Sequence, residues 1–380
     1  MDEIAVIGGG IGGLCTAIAL RNRGYQPQVY EQTAEFRPVG SGIWIPPNGM
    51  AALDRLGTAD TIEDAGVSLD GTEIESNAGR TLMSADLTAH AQELGIGRAL
   101  TSIRRPTLQE ELLSCLPSES VHLDMECVEV DSTGPTVAFA DGTSISPTLV
   151  IGADGVRSAV RSSLFPDVSI RFAGAVTYRG LVNQSLPTQA YRVGTAIWGD
   201  GGRFGYSAVE QDCAWWFFTI PGRSADDVPN MDRSDLVSRC QSFPEPAAEL
   251  VSNTPPEALI RTPLGDLPSL ERWHKNHVTL LGDAAHAMTP NLAQGSAQAM
   301  EDAVVLAEEI TRHGPTEQAL VEYESRRKPC ADYIRKQSRT QGWLGQINNQ
   351  ALTMLRNTVI RYSPSTLFDR QTRQMLTVDF

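Results

Sequence analysis

The chain has 380 residues, of which 41% are hydrophobic and 20% are charged. A chain of this length and composition can bury a large core, and we expect two interleaved domains. The formal net charge of −15 argues against nucleic acid or an anionic membrane as a partner, because both would repel the protein over long range.

The cysteines and the N-terminus do not indicate a secreted or metal-binding protein. The six cysteines show no C-x-x-C spacing, so we expect reduced thiols, no disulfide framework and no metal site. Residues 1–3 lead into the first predicted strand without the basic segment of a signal peptide. No apolar run is long enough to span a bilayer. These features predict a cytoplasmic protein without a membrane span, and the scarcity of lysine fits either a high-salt cytoplasm or a GC-rich genome.

The first predicted strand, at residues 4–7, is followed by a glycine-rich loop at residues 8–13 that opens a helix. The loop has the G-x-G-x-x-G spacing of dinucleotide-binding proteins. Gly8 permits the sharp turn, and Gly10 lets a pyrophosphate reach backbone N–H groups at the positive end of the helix. Gly13 allows the helix to pack closely on the strand. Strand, loop and helix together predict a dinucleotide site.

The second predicted strand, at residues 27–30, ends at Glu31. A carboxylate at this distance from the loop is suited to accept hydrogen bonds from a ribose diol, and it would repel a 2′-phosphate. The turn-rich stretch at residues 39–49, which contains Gly42, is typical of a loop that lies along a cofactor.

The middle of the chain alternates between two kinds of sheet. A helix at 106–115 and a buried strand at 149–152 are typical of a parallel α/β sheet. Between them, the sequence predicts strands at 121–130 and 136–140, with a turn at 141–142. An antiparallel sheet is predicted from the four strands at 177–182, 191–198, 203–209 and 214–220.

Near the C-terminus, a last parallel strand at 278–281 ends at Gly282 and Asp283, and apolar spacing predicts a helix at 296–311. Residues 317–357 are predicted to be helical and to cover the core. The predicted fold class is therefore α/β, with a Rossmann-like domain and its parallel sheet, an interleaved antiparallel-sheet domain and a C-terminal helical tail. The expected boundaries are 1–70, 98–165 and 275–330 for the first domain, 71–97 and 166–274 for the second, and 331–380 for the tail.

Three motifs resemble, in order and spacing, the fingerprints of the single-component FAD-dependent aromatic hydroxylases. They are residues 8–13 with Glu31, residues 152–158 and residues 282–286. The resemblance covers about residues 4–330 and is greatest to the branch of salicylate hydroxylases, urate hydroxylases and zeaxanthin epoxidases. It implies FAD as cofactor and NAD(P)H as a co-substrate that binds transiently. A second G-x-G-x-x-G motif for the nicotinamide nucleotide does not occur in the sequence, in agreement with this family.

The family resemblance also implies a reaction. NAD(P)H reduces FAD, O2 adds to the reduced ring as a C4a-hydroperoxide, and one oxygen atom passes to an aromatic or heteroaromatic small molecule. Three alternatives stay open from the sequence: epoxidation, a reductase or dehydrogenase of the same fold, and a flavin sensor without enzymatic activity. The protein is expected to be a monomer or a homodimer.

The family motifs map onto specific cofactor residues. Asp283 would accept hydrogen bonds from the ribityl hydroxyls, and a helix N-terminus near Gly295 would stabilise negative charge on the reduced flavin. Arg105 stands at a helix start, where a cation is misplaced unless it meets an anion. Asp154 would link FAD and pyridine nucleotide binding, or would only form a tight turn. The expected cofactor-binding residues are Gly8, Gly10, Ile11, Gly12, Gly13, Glu31, Gln32, Gly42, Arg105, Asp154, Gly282, Asp283, Pro290, Gly295 and Ser296.

The antiparallel sheet is expected to supply the substrate face, through the pocket residues Arg179, Tyr206, Trp215 and Phe217. Alternation along the strands lets Arg203 share a face with Trp215 or Phe217. An arginine in the urate-hydroxylase branch matches Arg203, but a tyrosine stands there in place of Trp215, so urate is a less expected substrate. An aromatic-rich sheet of this kind can equally be a core.

Three further positions bear on the chemistry. Arg203, His286 and Pro290 are the expected catalytic residues, with Pro290 shaping a dry site in the 290–295 loop. His286 would accept a proton from a phenolic substrate, or would pack under the flavin loop as a structural residue. Similar proteins usually carry glycine in place of Ala293, whose methyl group is expected to crowd the reactive edge of the flavin.

Overall fold

The computed structural model describes residues 3–36, 41–199, 202–347 and 349–380. The expected loop residues 39 and 40 and the expected turn residues 200 and 201 lie outside this range. The strands are β1 (Ile4–Ile7), β2 (Gln28–Tyr30), β3 (Gly42–Ile45), β4 (Val67–Leu69), β5 (Gly71–Ser76), β6 (Thr81–Asp86), β7 (Leu100–Arg104), β8 (Val121–His122), β9 (Cys127–Asp131), β10 (Thr136–Phe139), β11 (Ser144–Ile145), β12 (Leu149–Gly152), β13 (Arg171–Val182), β14 (Val193–Gly199), β15 (Gly202–Glu210), β16 (Cys213–Pro221), β17 (Ile260–Asp266), β18 (His274–Lys275) and β19 (Val278–Leu280). The α-helices are α1 (Ile11–Arg21), α2 (Pro47–Leu56), α3 (Ala59–Asp64), α4 (Leu87–Glu93), α5 (Arg105–Ser114), α6 (Ala159–Leu164), α7 (Arg233–Cys240), α8 (Ala247–Asn253), α9 (Asp283–His286), α10 (Gly295–His313), α11 (Glu317–Gly345), α12 (Gln350–Tyr362) and α13 (Ser365–Leu376).

The first layer is a six-stranded sheet with the strand order β18-β19-β12-β1-β2-β8. All neighbours are parallel except β18 and β19. Strand β1 lies inside the sheet, pairs Ile4 with Leu149 and Ala5 with Gln28, and is buried along its whole length. A strand covered on both faces must be apolar throughout, which is why residues 4–7 carry no polar side chain. Helix α1 packs against α10.

A seven-stranded sheet forms the second layer, in the order β17-β13-β16-β15-β14-β5-β6. Its strands are antiparallel, except that β14 pairs in parallel with β5. One face holds Arg203 opposite Thr219 and Ser207 opposite Trp215. The other face packs Phe204 and its neighbours against α7 and α8 in a separate hydrophobic core. The predicted fold class, a parallel α/β sheet combined with an antiparallel sheet and C-terminal helices, is confirmed.

Two predicted elements are interrupted. The strand expected at 121–130 divides into β8 and β9, because Asp124 takes a left-handed conformation with φ of 59° between them. The helix expected at 317–357 ends at Gly345 and restarts as α12, where the Asn349 side chain accepts a hydrogen bond from the Leu352 N–H and caps the new helix. Helix α13 lies beyond the helix expected at 317–357 but within the helical tail expected at 331–380. Among the described helices, none has both the length and the hydropathy that a bilayer-spanning segment needs.

Candidate functional site

A cavity of about 630 Å³ runs from the glycine-rich loop, past the first residues of α10, to the C-terminal helices. Most of the residues expected to bind cofactor or substrate lie in its wall. Those residues are Gly10, Ile11, Gly12, Gly42, Arg105, Arg179, Arg203, Trp215, Phe217, Gly282, Asp283, Pro290, Gly295 and Ser296.

The glycine-rich loop combines two close contacts with one open position. Gly8 has φ of +109°, and a Cβ atom there would lie 2.5 Å from the Ala153 carbonyl oxygen. A Cβ atom on Gly13 would lie 1.9 Å from the Gly8 carbonyl oxygen, so the turn requires glycine at both positions. In contrast, a Cβ atom on Gly10 would meet no described protein atom within 4 Å. Gly10 is also the N-cap of α1 and provides no side-chain cap, so the first N–H groups of this helix remain available to an anion.

The Glu31 side chain is hydrogen-bonded to the backbone of the glycine-rich loop. One of its carboxylate oxygens accepts a 2.6 Å hydrogen bond from the Gly9 N–H, and Gln109 donates a 2.8 Å hydrogen bond to the Gly9 carbonyl. Neither Glu31 nor the exposed Gln32 lies in the cavity wall. The expected contact of Glu31 with a ribose diol stays a prediction. Gln109 belongs to no motif, and sequence reasoning missed it.

Asp154 is folded into the turn after β12. Its carboxylate accepts hydrogen bonds from the Ser158 hydroxyl and from the Val160 N–H, while burial raises its pKa. Its neighbours Ala153 and Gly155 line the cavity, but Asp154 does not. Of the two interpretations given for this residue, the geometry favours the tight turn, and a link to pyridine nucleotide binding stays a prediction.

Asp283 and Arg105 place opposite charges in the cavity wall. Asp283, the first residue of α9, is exposed to the cavity, and its enclosure by the cavity wall raises its pKa, although His286, Arg105 and Arg161 act in the opposite direction. Arg105 begins α5 and is exposed, and its guanidinium has no hydrogen-bond or ion-pair partner among the described residues. A cation is unfavourable at a helix N-terminus unless an anion compensates it. The wall therefore offers a hydrogen-bond acceptor and a cation to a ligand that carries hydroxyl and phosphate groups.

The loop after α9 contains Ala293, at a position where the family resemblance predicts glycine. A 3-10 turn at Pro290–Leu292 is followed by Ala293, which has φ of 54° and ψ of 25°. This left-handed conformation favours glycine, because a Cβ atom raises its energy by about 1–2 kcal/mol. Backbone conformation thus provides a physical reason for glycine at this position in similar proteins. Crowding of the flavin by the Ala293 methyl group stays a prediction.

We predict that Ala293→Gly raises the free energy of unfolding by about 0.5 kcal/mol, since relief of the left-handed strain outweighs the greater freedom of glycine in the unfolded chain. The same chemical change at the exposed Ala89 of α4 is the control. Ala89→Gly should lower stability by about 1 kcal/mol, because glycine is a poor helix former. Urea unfolding of both variants checks the prediction, and effects of the same sign would contradict it.

The face expected to contact the substrate contains three side chains of the antiparallel sheet. Arg203, Phe217 and Trp215 share one face through the register of β15 and β16, and all three line the cavity. A Cβ atom on Gly42 would lie 2.2 Å from the Trp215 ring, so the indole closes directly over the start of β3. On β13, Arg179 donates a 2.8 Å hydrogen bond to the Thr262 hydroxyl.

Arg203 is buried under the end of α11. Its guanidinium donates a 2.5 Å hydrogen bond to the Asn291 side-chain oxygen, and a Cβ atom on Gly345 would lie 2.4 Å from the Arg203 Cδ atom. Burial, with a smaller effect from the nearby charge of Arg356, lowers the pKa of Arg203 to about 10. The group therefore remains charged at neutral pH, in a position where an acidic or carbonyl group of a ligand would be attracted.

Of the expected catalytic and substrate-pocket residues, two lie outside the cavity wall. Tyr206 alternates with Gly205 on β15, so its side chain points to the opposite face and contacts the second core near Phe204. His286 is 2% exposed and does not line the cavity, and its Nε2 lies 2.6 Å from the Asp302 carboxylate. The expectations of a pocket role for Tyr206 and of a proton acceptor at the substrate for His286 are corrected by these positions. For His286, the geometry favours packing under the flavin loop.

The partner of His286 belongs to a buried polar network that sequence reasoning missed. Arg327 of α11 donates hydrogen bonds of 2.6 Å to Glu301 and 2.8 Å to Asp302. Asp302 also accepts from the Gly282 N–H at 3.1 Å, and Asn48 donates to Glu301 at 2.6 Å. The network connects the start of α2, the Gly282 turn and α10 behind the cavity. Its only sequence signal is a pair of acidic residues inside an apolar helix, where burial without a counter-charge is unfavourable.

Comparisons with known proteins agree with the geometry. Residues 1–338 match the protein-family model described as FAD binding domain. The chain is 33% identical over 377 residues to the aurachin C monooxygenase/isomerase of Stigmatella aurantiaca, covering 98% of this chain and 97% of that protein. It is 29% identical over 380 residues to the 2-heptyl-3-hydroxy-4(1H)-quinolone synthase of Pseudomonas aeruginosa, covering 98% and 97%. The crystal structure of Klebsiella pneumoniae HpxO complexed with FAD and uric acid matches with a TM-score of 0.88 and 28% identity, over 99% of this chain and 96% of that chain.

Proposed function

Because the chain belongs to the FAD-binding family of flavin-dependent aromatic hydroxylases, we propose that its cavity binds FAD at one end and an apolar-substituted heteroaromatic ring at the other. The protein is an FAD-dependent monooxygenase that uses NAD(P)H as co-substrate and hydroxylates an aromatic or heteroaromatic small molecule. The observation that carries the proposal is the position of Gly10, Arg105, Asp283 and Arg203 in the wall of a single cavity.

The residues present fit FAD. The open space beside Gly10 and the uncapped α1 N-terminus suit a pyrophosphate, and Arg105 supplies a compensating charge. Asp283 would accept from the ribityl hydroxyls, and the N-terminus of α10 at Gly295 would face the pyrimidine end of the flavin. When bound, FAD takes a hydride from NAD(P)H and activates O2 for insertion. The remaining cofactor residues named from the sequence are proposed as contacts or as supports of this arrangement.

The protein's own contribution is to orient the ring and exclude water. We place the guanidinium of Arg203 as the group that binds a phenolic or carbonyl oxygen of the substrate, with Asn291 fixing its direction. Trp215 and Phe217 would stack on the ring, and Pro290 would close the cavity on the flavin side. Arg179 would hold a second polar substituent. His286 acts indirectly in this proposal, as a positioning residue beneath the Gly282 turn.

The far end of the cavity supports the choice of substrate class. Beyond the Arg203 face, alongside polar side chains such as Glu73, Gln341 and Asp369, the wall contains many apolar side chains from β5, β6, α4, β7 and the C-terminal helices. They include Ile74, Met83, Leu87, Leu100, Leu344, Ile360, Phe368 and Met375. An unsubstituted purine such as urate leaves this surface without a partner, whereas a heteroaromatic ring with an alkyl chain covers it. The relative named for 2-heptyl-3-hydroxy-4(1H)-quinolone carries such a chain in its product.

We predict that activity increases with the length of an alkyl substituent on the ring. Each methylene that enters the apolar end adds about 0.8 kcal/mol, or about fourfold in kcat/KM. The measurement is substrate-stimulated NAD(P)H oxidation, with product analysis, for a quinolone series from methyl to heptyl.

Two neighbouring residues on α12 provide a matched pair of variants. Ile360 lines the cavity, whereas Val359 is 57% exposed on the other side of the helix. Ile360→Ser should raise KM for the heptyl compound about tenfold and leave the methyl compound unchanged, and Val359→Ser should change neither. Equal activity across the series, or equal effects of the two variants, would contradict the proposed substrate class.

We also propose a cytoplasmic enzyme that is a monomer or a homodimer. The six free cysteines fit a reducing compartment. Light scattering on the purified protein tests the oligomeric state, and a tetramer would contradict it.

A further inference from the structure

We propose that the outer face of the C-terminal helices docks on the surface of an anionic lipid bilayer. This apolar face consists of Leu352, Leu355, Val359 and Tyr362 on α12, flanked by Trp343 on α11 and Leu367 on α13. The four α12 residues recur every three or four positions and therefore form one stripe along the helix. Their exposed fractions lie between 54 and 77%.

The apolar face contains half of the large apolar side chains that are exposed in the described part of this molecule. Of the twelve large apolar side chains that are exposed in the described part of the chain, seven lie between Trp343 and Leu367. A contiguous exposed apolar stripe marks an interaction surface, whereas single exposed apolar residues need no explanation. The opposite side of α12, at Thr353 and Ile360, packs inward, so the helix already has its own buried contacts. Within the described part of the chain, the stripe stays exposed, and it is therefore a candidate surface for an external partner.

The charge of the same segment indicates which partner. Between Trp343 and Leu376 the chain has four arginines and one acidic residue, Asp369, although the whole protein has the net charge of −15 that argued against a membrane partner. Arg356 is buried and Arg373 pairs with Glu93, so the other two arginines supply the charge of this surface. Arg361 and Arg370 are exposed, and neither has an ion-pair partner among the described residues. Basic side chains beside a stripe of leucine, valine and tyrosine are typical of helices that lie in the interface of an anionic membrane. The acidic remainder of the protein would be repelled and would orient this face toward the lipid.

The alternative occupant, a second copy of the chain, is less favoured by the same charges. A two-fold interface brings each patch against itself, so Arg361 and Arg370 of both copies would lie in one interface to which the partner's patch adds more positive charge. A lipid surface meets no such repulsion.

The apolar face lies on the outer side of helices that also line the cavity, so docking on a bilayer would bring the cavity close to the lipid. Ile360, Phe368 and Met375 line the cavity from the inside of the same two helices whose outer side is apolar. A lipophilic substrate dissolved in the bilayer would therefore be close to the apolar end of the cavity. Docking itself does not depend on the proposed substrate, because it is measured without turnover.

The test is co-sedimentation of the FAD-loaded full-length protein with vesicles. Vesicles of phosphatidylcholine with phosphatidylglycerol should bind the protein at least tenfold more tightly than vesicles of phosphatidylcholine alone. Binding should weaken as the salt concentration rises from about 0.05 M to about 0.5 M, because the added ions screen the attraction. The double variant Leu355→Ser with Val359→Ser should lose at least about tenfold in vesicle affinity, whereas Ile360→Ser, on the inner side, should retain it.

Failure of the wild-type protein to sediment with either vesicle would overturn the proposal. So would equal binding by the Leu355→Ser, Val359→Ser variant and the wild type. If the double variant instead converts a dimer to a monomer in analytical ultracentrifugation and vesicles bind neither form, the face is an interface between copies. Retained flavin colour and retained oxidation of a short-chain substrate show that the double variant is folded. A failed docking test with normal hydroxylation leaves the proposed function intact.

Discussion

Gly10→Ala is expected to weaken FAD binding about 100-fold without disturbing the fold. A Cβ atom at this position meets no described protein atom within 4 Å, and the backbone has φ of −74°, which alanine adopts readily. The methyl group would therefore displace a ligand at the α1 N-terminus rather than a part of the protein. Loss of two charge-assisted hydrogen bonds, at about 1.5 kcal/mol each, corresponds to about this change in affinity.

Gly97→Ala is the matched control, because Gly97 is exposed and a Cβ atom there also meets no described protein atom within 4 Å. Both apoproteins should unfold at about the wild-type urea concentration, and flavin fluorescence titration should separate them. Equal FAD affinity of the two variants would place the pyrophosphate elsewhere.

Arg327→Met is expected to reduce the free energy of unfolding by about 3–5 kcal/mol. The guanidinium belongs to a residue that is 3% exposed, and it is hydrogen-bonded to both Glu301 and Asp302. Its removal leaves two adjacent buried carboxylates with too little positive charge, and an uncompensated buried charge is among the most destabilising changes known. Urea unfolding measures the loss.

The neighbouring Arg326 is the control for this variant. Its side chain is one-fifth exposed, and its partner Glu309 keeps a second ion pair with Arg312. Arg326→Met should therefore cost about 1 kcal/mol or less. Equal losses for the two arginines would show that burial of the network adds nothing.

The pH dependence of Arg327→Met follows from the carboxyl groups. Burial raises the pKa of Asp302, but His286 and Arg327 outweigh it and hold the pKa below its usual value. In the wild type this group stabilises the fold above the pKa of the unfolded chain, and the contribution is lost as the pH falls through the lower folded value. Burial already raises the pKa of Glu301, and without Arg327 both values should rise. Protonation of these carboxyl groups then removes the uncompensated negative charge, so the stability deficit of the variant should shrink as the pH is lowered from neutral toward the ordinary carboxyl pKa of about 4.

Local sequence patterns were sufficient for the elements that carry the cofactor. The spacing of Gly8, Gly10 and Gly13 specifies a turn that needs glycine, and strand alternation places Arg203 on the face of Trp215. The same alternation places Tyr206 on the opposite face, so its inclusion in the pocket was wrong for a reason already contained in the sequence.

Other features depended on contacts between distant segments. His286 lies close to Asp283 in the motif, but its side chain contacts Asp302, which also accepts a hydrogen bond from Arg327. No periodicity within a helix reveals which buried charges a second helix will meet. The break after Gly345 was also missed, although Gly345 and Asn349 are poor helix formers and Asn349 is a good N-cap residue, so the sequence did contain a signal for it.

The most direct test of the proposed function is a turnover experiment under heavy-oxygen gas. The FAD-loaded protein is supplied with NAD(P)H, labelled O2 and an alkyl-substituted quinolone, and the product is analysed by mass spectrometry. We predict a product that gains one labelled oxygen atom, with NAD(P)H consumed in step with hydroxylation. Unchanged quinolone with hydrogen peroxide equal to the NAD(P)H consumed, across the whole series of aromatic compounds, would contradict the proposal and would indicate a flavin-dependent reductase.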